Sequence, residues 1–162
     1  QVCSVVGFPL GASTTRSKLY EVDYCLQKGA SEIDMVMNIG FFKDGHLDYV
    51  ADEIVQIINS SSGNILKVII ETNLLNDDEI SQASKLVEDS GAQFVKTSTG
   101  FYGSGATPDL VQLIRSTIRL ETSIKASGGI KTLDQVEKLI DAGANRIGTS
   151  SAVIIMKEFG QN

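Results

Sequence analysis

Short runs rich in valine, isoleucine and phenylalanine alternate along this chain with longer segments whose apolar residues return every three or four positions. The first rhythm predicts strands, the second helices with one buried face. Residues 3–8 form the first expected strand, closed by Pro9-Leu10-Gly11. Ser13 or Thr14 caps a helix that turns Leu19, Val22 and Leu26 inward, and Gly29 ends it. Residues 32–39 are the second strand. A helix with Leu47, Val50, Ile54 and Ile57 on one face follows, then a turn at residues 60–63. Residues 66–72 are the third strand, and Asn76 or Asp77 opens a helix burying Ile80, Ala83 and Val87 up to Gly91. The fourth strand is short and lies within residues 93–100. Thr107-Pro108 is a cap followed by proline at the first helical position, with Val111, Ile114 and Ile118 facing inward. Residues 123–129 are the fifth strand. Thr132 to Gln135 is a capping-box pattern, and Val136, Leu139 and Ile140 are the inner positions of its helix. Residues 146–151 are the sixth strand and 152–159 a last apolar helix.

Strands that strictly alternate with helices predict an α/β fold with a parallel sheet. An internal repeat narrows the choice. Gly29-Ala30, Gly91-Ala92 and Gly143-Ala144 each end a helix and feed a strand, and Asp34, Lys96 and Gly148 stand five residues beyond those glycines. In a TIM (β/α)8-barrel, alternate strands fill a shared interior layer, so Asp34 and Lys96 are expected to face one another. A doubly wound sheet also alternates and stays open at this point.

The chain has 162 residues, enough for a single domain with a core. Its net charge of −6, with acidic and basic residues interspersed, argues against a nucleic-acid surface. The longest apolar run, residues 152–156, is too short to span a bilayer, so no membrane partner is expected. Cys3 and Cys25 lack metal-ligand spacing and are expected to be reduced packing thiols in a cytoplasmic protein. The chain has no initiator methionine and starts almost directly on a strand, so no signal peptide is expected in it and the beginning of a longer protein is expected to be absent.

Asp34, Lys96 and Lys125 all fall in strand interiors, where an ionisable side chain needs a reason. One reason is a buried ion-pair network or a strand-end lysine reaching out to water. The other is chemistry. A lysine stripped of water and placed beside a second ammonium loses its proton more readily and becomes a nucleophile for carbonyls. Lys96 is then a Schiff-base lysine, Lys125 its neighbour, and Asp34 a carrier of protons. Lys67, at the start of the third strand, reads as a structural ion pair away from the active-site end. Glu71, at the far end of that strand, either orients groups near the site or is structural.

Two turns of small residues, Ser127-Gly128-Gly129 and Gly148-Thr149-Ser150-Ser151, expose backbone amides just before helix N-termini. Such places bind anions; ordinary tight βα turns are the alternative. His46 reads as a solvated loop residue, and Arg16, Lys18, Arg115 and Arg119 as solvated helix positions.

At these residues the chain resembles the deoxyribose-phosphate aldolases, class I aldolases on a TIM barrel. The matching runs are residues 5–11, 32–40, 66–72, 94–101, 125–130 and 146–151, which cover nearly the whole chain in family order. The resemblance implies reversible cleavage of 2-deoxy-D-ribose 5-phosphate to D-glyceraldehyde 3-phosphate and acetaldehyde, with no cofactor. It implies Lys96 as the Schiff-base lysine, Lys125 as its tuner and Asp34 as the proton-transfer carboxylate. It also implies a phosphate grip at Gly128, Gly129, Gly148, Ser150 and Ser151. The first strand here matches the family's third, so six βα units matching strands three to eight are expected. Such a sheet would expose two apolar edges, unless a longer polypeptide, another copy of the chain or a different closure covers them. The alternative function is a catalytically impaired short form that keeps only phosphate binding or an assembly role.

Overall fold

The computed structural model describes residues 1–160. Six strands appear: β1 (Cys3–Val6), β2 (Glu32–Val36), β3 (Ile65–Ile69), β4 (Phe94–Lys96), β5 (Ser123–Ser127) and β6 (Arg146–Gly148). The helices between and after them are α1 (Thr15–Gln27), α2 (Ile39–Lys43), α3 (Leu47–Ser60), α4 (Asp77–Asp89), α5 (Pro108–Thr117), α6 (Leu133–Asp141) and α7 (Ala152–Phe159). All strand pairs are parallel, and the sheet order is β1-β2-β3-β4-β5-β6. A doubly wound sheet reverses direction at a switch point; this one winds one way only.

The sheet is curled. In a flat sheet β2 and β6, four strands apart, would be separated by about 19 Å. Yet Arg146 on β6 pairs with Glu32 on β2, and Lys125 on β5 reaches Asp34 on β2 at 2.6 Å. Those contacts require a half-barrel with the charged residues inside the curve. The two faces divide by period-two alternation. Ile33, Met35, Leu66, Val68, Val95 and Ile124 are fully buried against the helices, whereas Glu32, Asp34, Lys67, Lys96, Lys125 and Arg146 gather on the concave face.

Local signals place the helices where the sequence rhythm put them. Thr14 caps α1, Asn76 and Thr132 each complete a capping box, and Thr107 caps α5 ahead of Pro108. The strands are shorter than expected because their last residues leave the sheet to build the βα loops. Parts of the ladder continue: Ile70 N–H donates to Lys96 O and Thr72 N–H to Thr97 O, at 3.1 and 3.0 Å. Beyond β2 the chain turns at once into α2, which Asn38 caps through Phe41 N–H; the rhythm had read Ile39 as strand. Ile118 is the C-cap of α5, and its side chain is buried in the core beside Val111 and Ile114 as expected. Ile140, expected inside, is 53% exposed, because α6 lies near the end of the curl.

The outer sides of β1 and β6 pair with no strand among the described residues. Val5 on β1 and Val153, Ile154 and Met156 on α7 are exposed there. No helix among the described residues is long and apolar enough to cross a membrane.

Candidate active site

Asp34 is the hub of the concave face. Its Oδ2 accepts hydrogen bonds from Lys96 Nζ and Lys125 Nζ, both at 2.6 Å, and its Oδ1 lies 3.1 Å from Lys67 Nζ. Strand register explains the convergence. Lys96 and Lys125 are direct partners on neighbouring strands, so their side chains leave the sheet side by side. Asp34 is in register with Lys67, and the curl brings its carboxylate across to the β4–β5 pair.

Burial and charge act on these groups in opposite directions. Desolvation lowers the Lys96 pKa; the Asp34 charge and hydrogen bond raise it, and the Lys125 ammonium lowers it again, leaving it below the usual lysine value. Burial pushes Asp34 up, but the attraction and hydrogen bonds of Lys96 and Lys125 outweigh it, and the carboxyl sits far below its ordinary range. Asp34 is therefore ionised at neutral pH, and Lys96 is an amine made easier to deprotonate.

A second layer closes the floor. Glu32 accepts from Lys67 at 2.6 Å and from Arg146. The Phe94 ring lies between these cations, 5.8 Å from Lys67 Nζ and 5.0 Å from Arg146 Cζ. Burial works against the Lys67 charge, but bonds to Glu32 and Asp34 raise its pKa above the usual value. Lys67 is thus a paired structural cation as the sequence suggested, but it also shares Asp34 with the lysine pair and so belongs to the same network.

Above Lys96 and Lys125 opens a cavity of about 360 Å³. Gly128, Gly129, Gly148 and Ser150 line its far side, and Ser127 Oγ, buried and without a partner, faces the same region. Gly128 and Gly129 have φ of +89° and +73°, left-handed values that leave this turn to glycine. A Cβ on Gly148 would collide with Ser127 Oγ and stand 3.2 Å from Lys125 Cε, so its absence leaves room for both side chains. Helix α7 starts beside this wall with no side-chain hydrogen bond at its N-cap.

Of the residues singled out from sequence, Asp34, Lys96 and Lys125 meet in one cluster. Gly128, Gly129, Gly148 and Ser150 line one cavity beside it. Ser151 does not line the cavity; its N–H donates to Thr149 Oγ1 at 2.9 Å and it forms the N-cap of α7. Thr149, part of the turn expected to bind an anion, also lines the cavity, as do Thr99, Gly100 and Lys131, which were given no role from sequence. Lys131 had a legible signal: a cation two residues after a glycine pair and directly before a capping box.

Three other expectations are corrected. Lys18 is not solvated: it is fully buried, paired with Glu53 at 2.7 Å and donating to Val36 O at 2.9 Å. Its site lies between α1 and the sheet, where a Cβ on Gly7 would collide with its stem. Arg115 is also engaged, donating to the carbonyls of Thr122 and Ile118 at 3.0 and 3.1 Å and so tying down the α5–β5 connection. Cys3 is not a core thiol: it is exposed on β1, with Sγ 3.1 Å from Asp34 Oδ1. Cys25 is half-buried and bonds Ser4 Oγ at 3.1 Å.

Comparison with known proteins places the chain in a family. A family model described as DeoC/LacD family aldolase matches residues 2–157. A protein named deoxyribose-phosphate aldolase 1, from Staphylococcus aureus (strain MRSA252), is 51% identical over 156 residues, covering 96% of this chain and 71% of its own. Among solved structures, an aldolase named QR15 superposes with a TM-score of 0.97 at 42% identity, covering 99% of this chain and 73% of its own. A deoxyribose phosphate aldolase from Aeropyrum pernix, described as a unique tetrameric structure, gives 0.91 at 36% identity, covering 99% of this chain and 68% of its own.

Proposed function

Because the chain belongs to the DeoC/LacD family of aldolases, we propose that it cleaves 2-deoxy-D-ribose 5-phosphate to D-glyceraldehyde 3-phosphate and acetaldehyde, reversibly, through an imine on Lys96. The observation that carries this reading is the pair Lys96 and Lys125 on one carboxylate oxygen of Asp34, beneath a cavity with a glycine-turn wall.

The free amine of Lys96 adds to the aldehyde carbon of the open-chain sugar, and loss of water leaves the iminium. The hydroxyl on the third sugar carbon gives up its proton, and the bond between carbons two and three breaks. The electron pair moves into the iminium to give an enamine, releasing glyceraldehyde 3-phosphate. Protonation of the enamine and hydrolysis free acetaldehyde and return the amine. Asp34 remains ionised beside two cations, so its part is to hold and pass on a proton rather than keep one. Lys125 disfavours the charged form of Lys96 and donates within the same cluster. Gly128, Gly129, Gly148, Ser150 and the uncapped start of α7 receive the phosphate, with Lys131 adding positive charge. Ser151 occupies the N-cap position of that helix without capping it, so its hydroxyl is left for the same anion.

We read the six units as strands three to eight of the family's barrel, in keeping with the share of the relatives' length they cover. The uncovered edges of β1 and β6 suit association with further βα units or with a copy of the chain. The Aeropyrum pernix relative is itself described as tetrameric. Two unpaired cysteines are in keeping with a reducing, cytoplasmic setting.

The test is direct. Incubation with acetaldehyde and borohydride should add the mass of an ethyl group at Lys96, and deoxyribose 5-phosphate should be cleaved in a coupled assay. A folded sample that gains no adduct would end this reading.

A further inference from the structure

Glu71 takes no part in the steps above, yet its placement is costly. It follows β3 with φ 52° and ψ 69°, a left-handed backbone that a side-chain-bearing residue rarely adopts. Its side chain is fully buried. Oε2 accepts from Thr99 N–H at 3.1 Å and from the Thr99 hydroxyl, while Oε1 is buried with no partner. A core glutamate kept for stability would be expected to satisfy both oxygens. Strain and an orphaned acceptor in one residue point instead to a site where geometry is held for function.

What Glu71 holds is the loop after β4. Thr99, gripped by the carboxylate, lines the cavity, and its Oγ1 in turn accepts from Phe101 N–H at 3.2 Å. The same loop rests on its neighbours at two further points. Asn73 packs so closely under Gly103 that a Cβ there would come within 2.9 Å of the Asn73 Cβ. A Cβ on Gly105 would come within 2.7 Å of Gly128 Cα, and Ala106 N–H donates to Ser127 O and Gly128 O at 3.1 and 3.2 Å. The path runs from the end of β3, through residues 99–106, to the glycine turn after β5.

We propose that Glu71 is a positioning residue for the phosphate side of the cavity: its carboxylate seats the 99–105 loop, and that loop sets the Gly128-Gly129 turn. This rests on the phosphorylated-sugar reading above and adds to it the element that shapes the anion subsite. The clamp needs an oxygen acceptor rather than a charge, because both groups it holds are neutral donors of Thr99. Glutamine therefore suffices and alanine does not.

The test compares Glu71→Ala, Glu71→Gln, Thr99→Val and the double variant Glu71→Ala/Thr99→Val. Loss of the clamp should raise KM for deoxyribose 5-phosphate, and weaken binding of inorganic phosphate, by about tenfold in Glu71→Ala and Thr99→Val. In Glu71→Ala, acetaldehyde trapping at Lys96 should proceed as in the unaltered protein, since that aldehyde carries no phosphate. Glu71→Gln should stay within about threefold of the unaltered protein, and the double variant should be no worse than either single one. Unchanged phosphate affinity in Glu71→Ala, additive losses in the double variant, or equal loss of trapping and phosphate binding would each overturn the clamp. If Glu71→Ala does not fold, Glu71→Gln and Thr99→Val decide alone: a KM change in the first, or none in the second, rejects it. The two readings fail separately. Absence of trapping in the unaltered protein removes the aldolase, whereas the phosphate measurement still judges Glu71.

Discussion

Lys96 and Lys125 are direct partners on adjacent strands, and both end 2.6 Å from the same oxygen of Asp34. Two ammonium groups held this closely cannot both keep their protons as readily as either would alone. The carboxylate between them limits the repulsion and keeps the pair in place. The arrangement makes the Lys96 ammonium easier to deprotonate, which is what the proposed imine chemistry asks of it.

Replacing the proposed nucleophile should remove the chemistry and spare the fold. In Lys96→Met, cleavage of deoxyribose 5-phosphate should fall by roughly a thousandfold or more. The mass added by acetaldehyde and borohydride should vanish from the peptide carrying residue 96. A full-size adduct elsewhere, with turnover intact, would show that another amine does the work.

Removing the neighbouring cation should move the pH dependence. Lys125 lowers the Lys96 pKa, so in Lys125→Met that pKa rises and less free amine is present at neutral pH. The acid limb of the rate profile should move to higher pH, and raising the pH should recover much of the lost rate. A superimposable profile would remove Lys125 from the tuning of Lys96.

A carboxylate far from the site should govern part of the acid stability. Glu88 on α4 is 4% exposed and accepts from Lys85 at 2.7 Å, from Arg119 N–H at 2.6 Å and from the Thr122 hydroxyl at 3.2 Å. Burial pushes its pKa up, but these bonds outweigh burial and hold it at about 2. A carboxyl lower in the folded than in the unfolded chain stabilises above the ordinary glutamate range and loses that contribution as the pH falls toward 2. Its exposed partners are screened, so the contribution at neutral pH is on the order of 2 kcal/mol. Denaturant titrations of the unaltered protein and Glu88→Gln should differ by that amount at pH 7 and converge near pH 2. A constant difference across that range would reject it.

The Lys18–Glu53 pair should behave as a buried charge pair. Lys18→Met leaves Glu53 buried without its cation and should cost about 3–5 kcal/mol. The double replacement Lys18→Met/Glu53→Met should recover much of this, because no lone charge is left behind. Thermal unfolding of the three variants gives the answer, and a harmless single replacement would contradict the burial of this pair.

Much of this protein was legible in one dimension. Rhythms of two and of three to four residues placed the six strands and nearly every helix, since apolar side chains must share a face to leave water together. Capping residues marked helix starts, because backbone amides there need acceptors. The ionisable residues inside strands pointed to Asp34, Lys96 and Lys125, because an unpaired charge resists burial. Other facts belong to three dimensions alone. Lys18 sits on an amphipathic helix like any solvated lysine, and only the packing of α1 on the sheet shows Glu53 waiting 2.7 Å away. Glu71 reads as one more strand-end carboxylate until its backbone turns left-handed beneath Thr99. Above all, the curl that brings β5 and β6 back to β2 is a property of how helices pack on a twisted parallel sheet. No local spacing encodes the meeting of Lys125 with Asp34, because that contact joins residues that only the closing curvature makes neighbours.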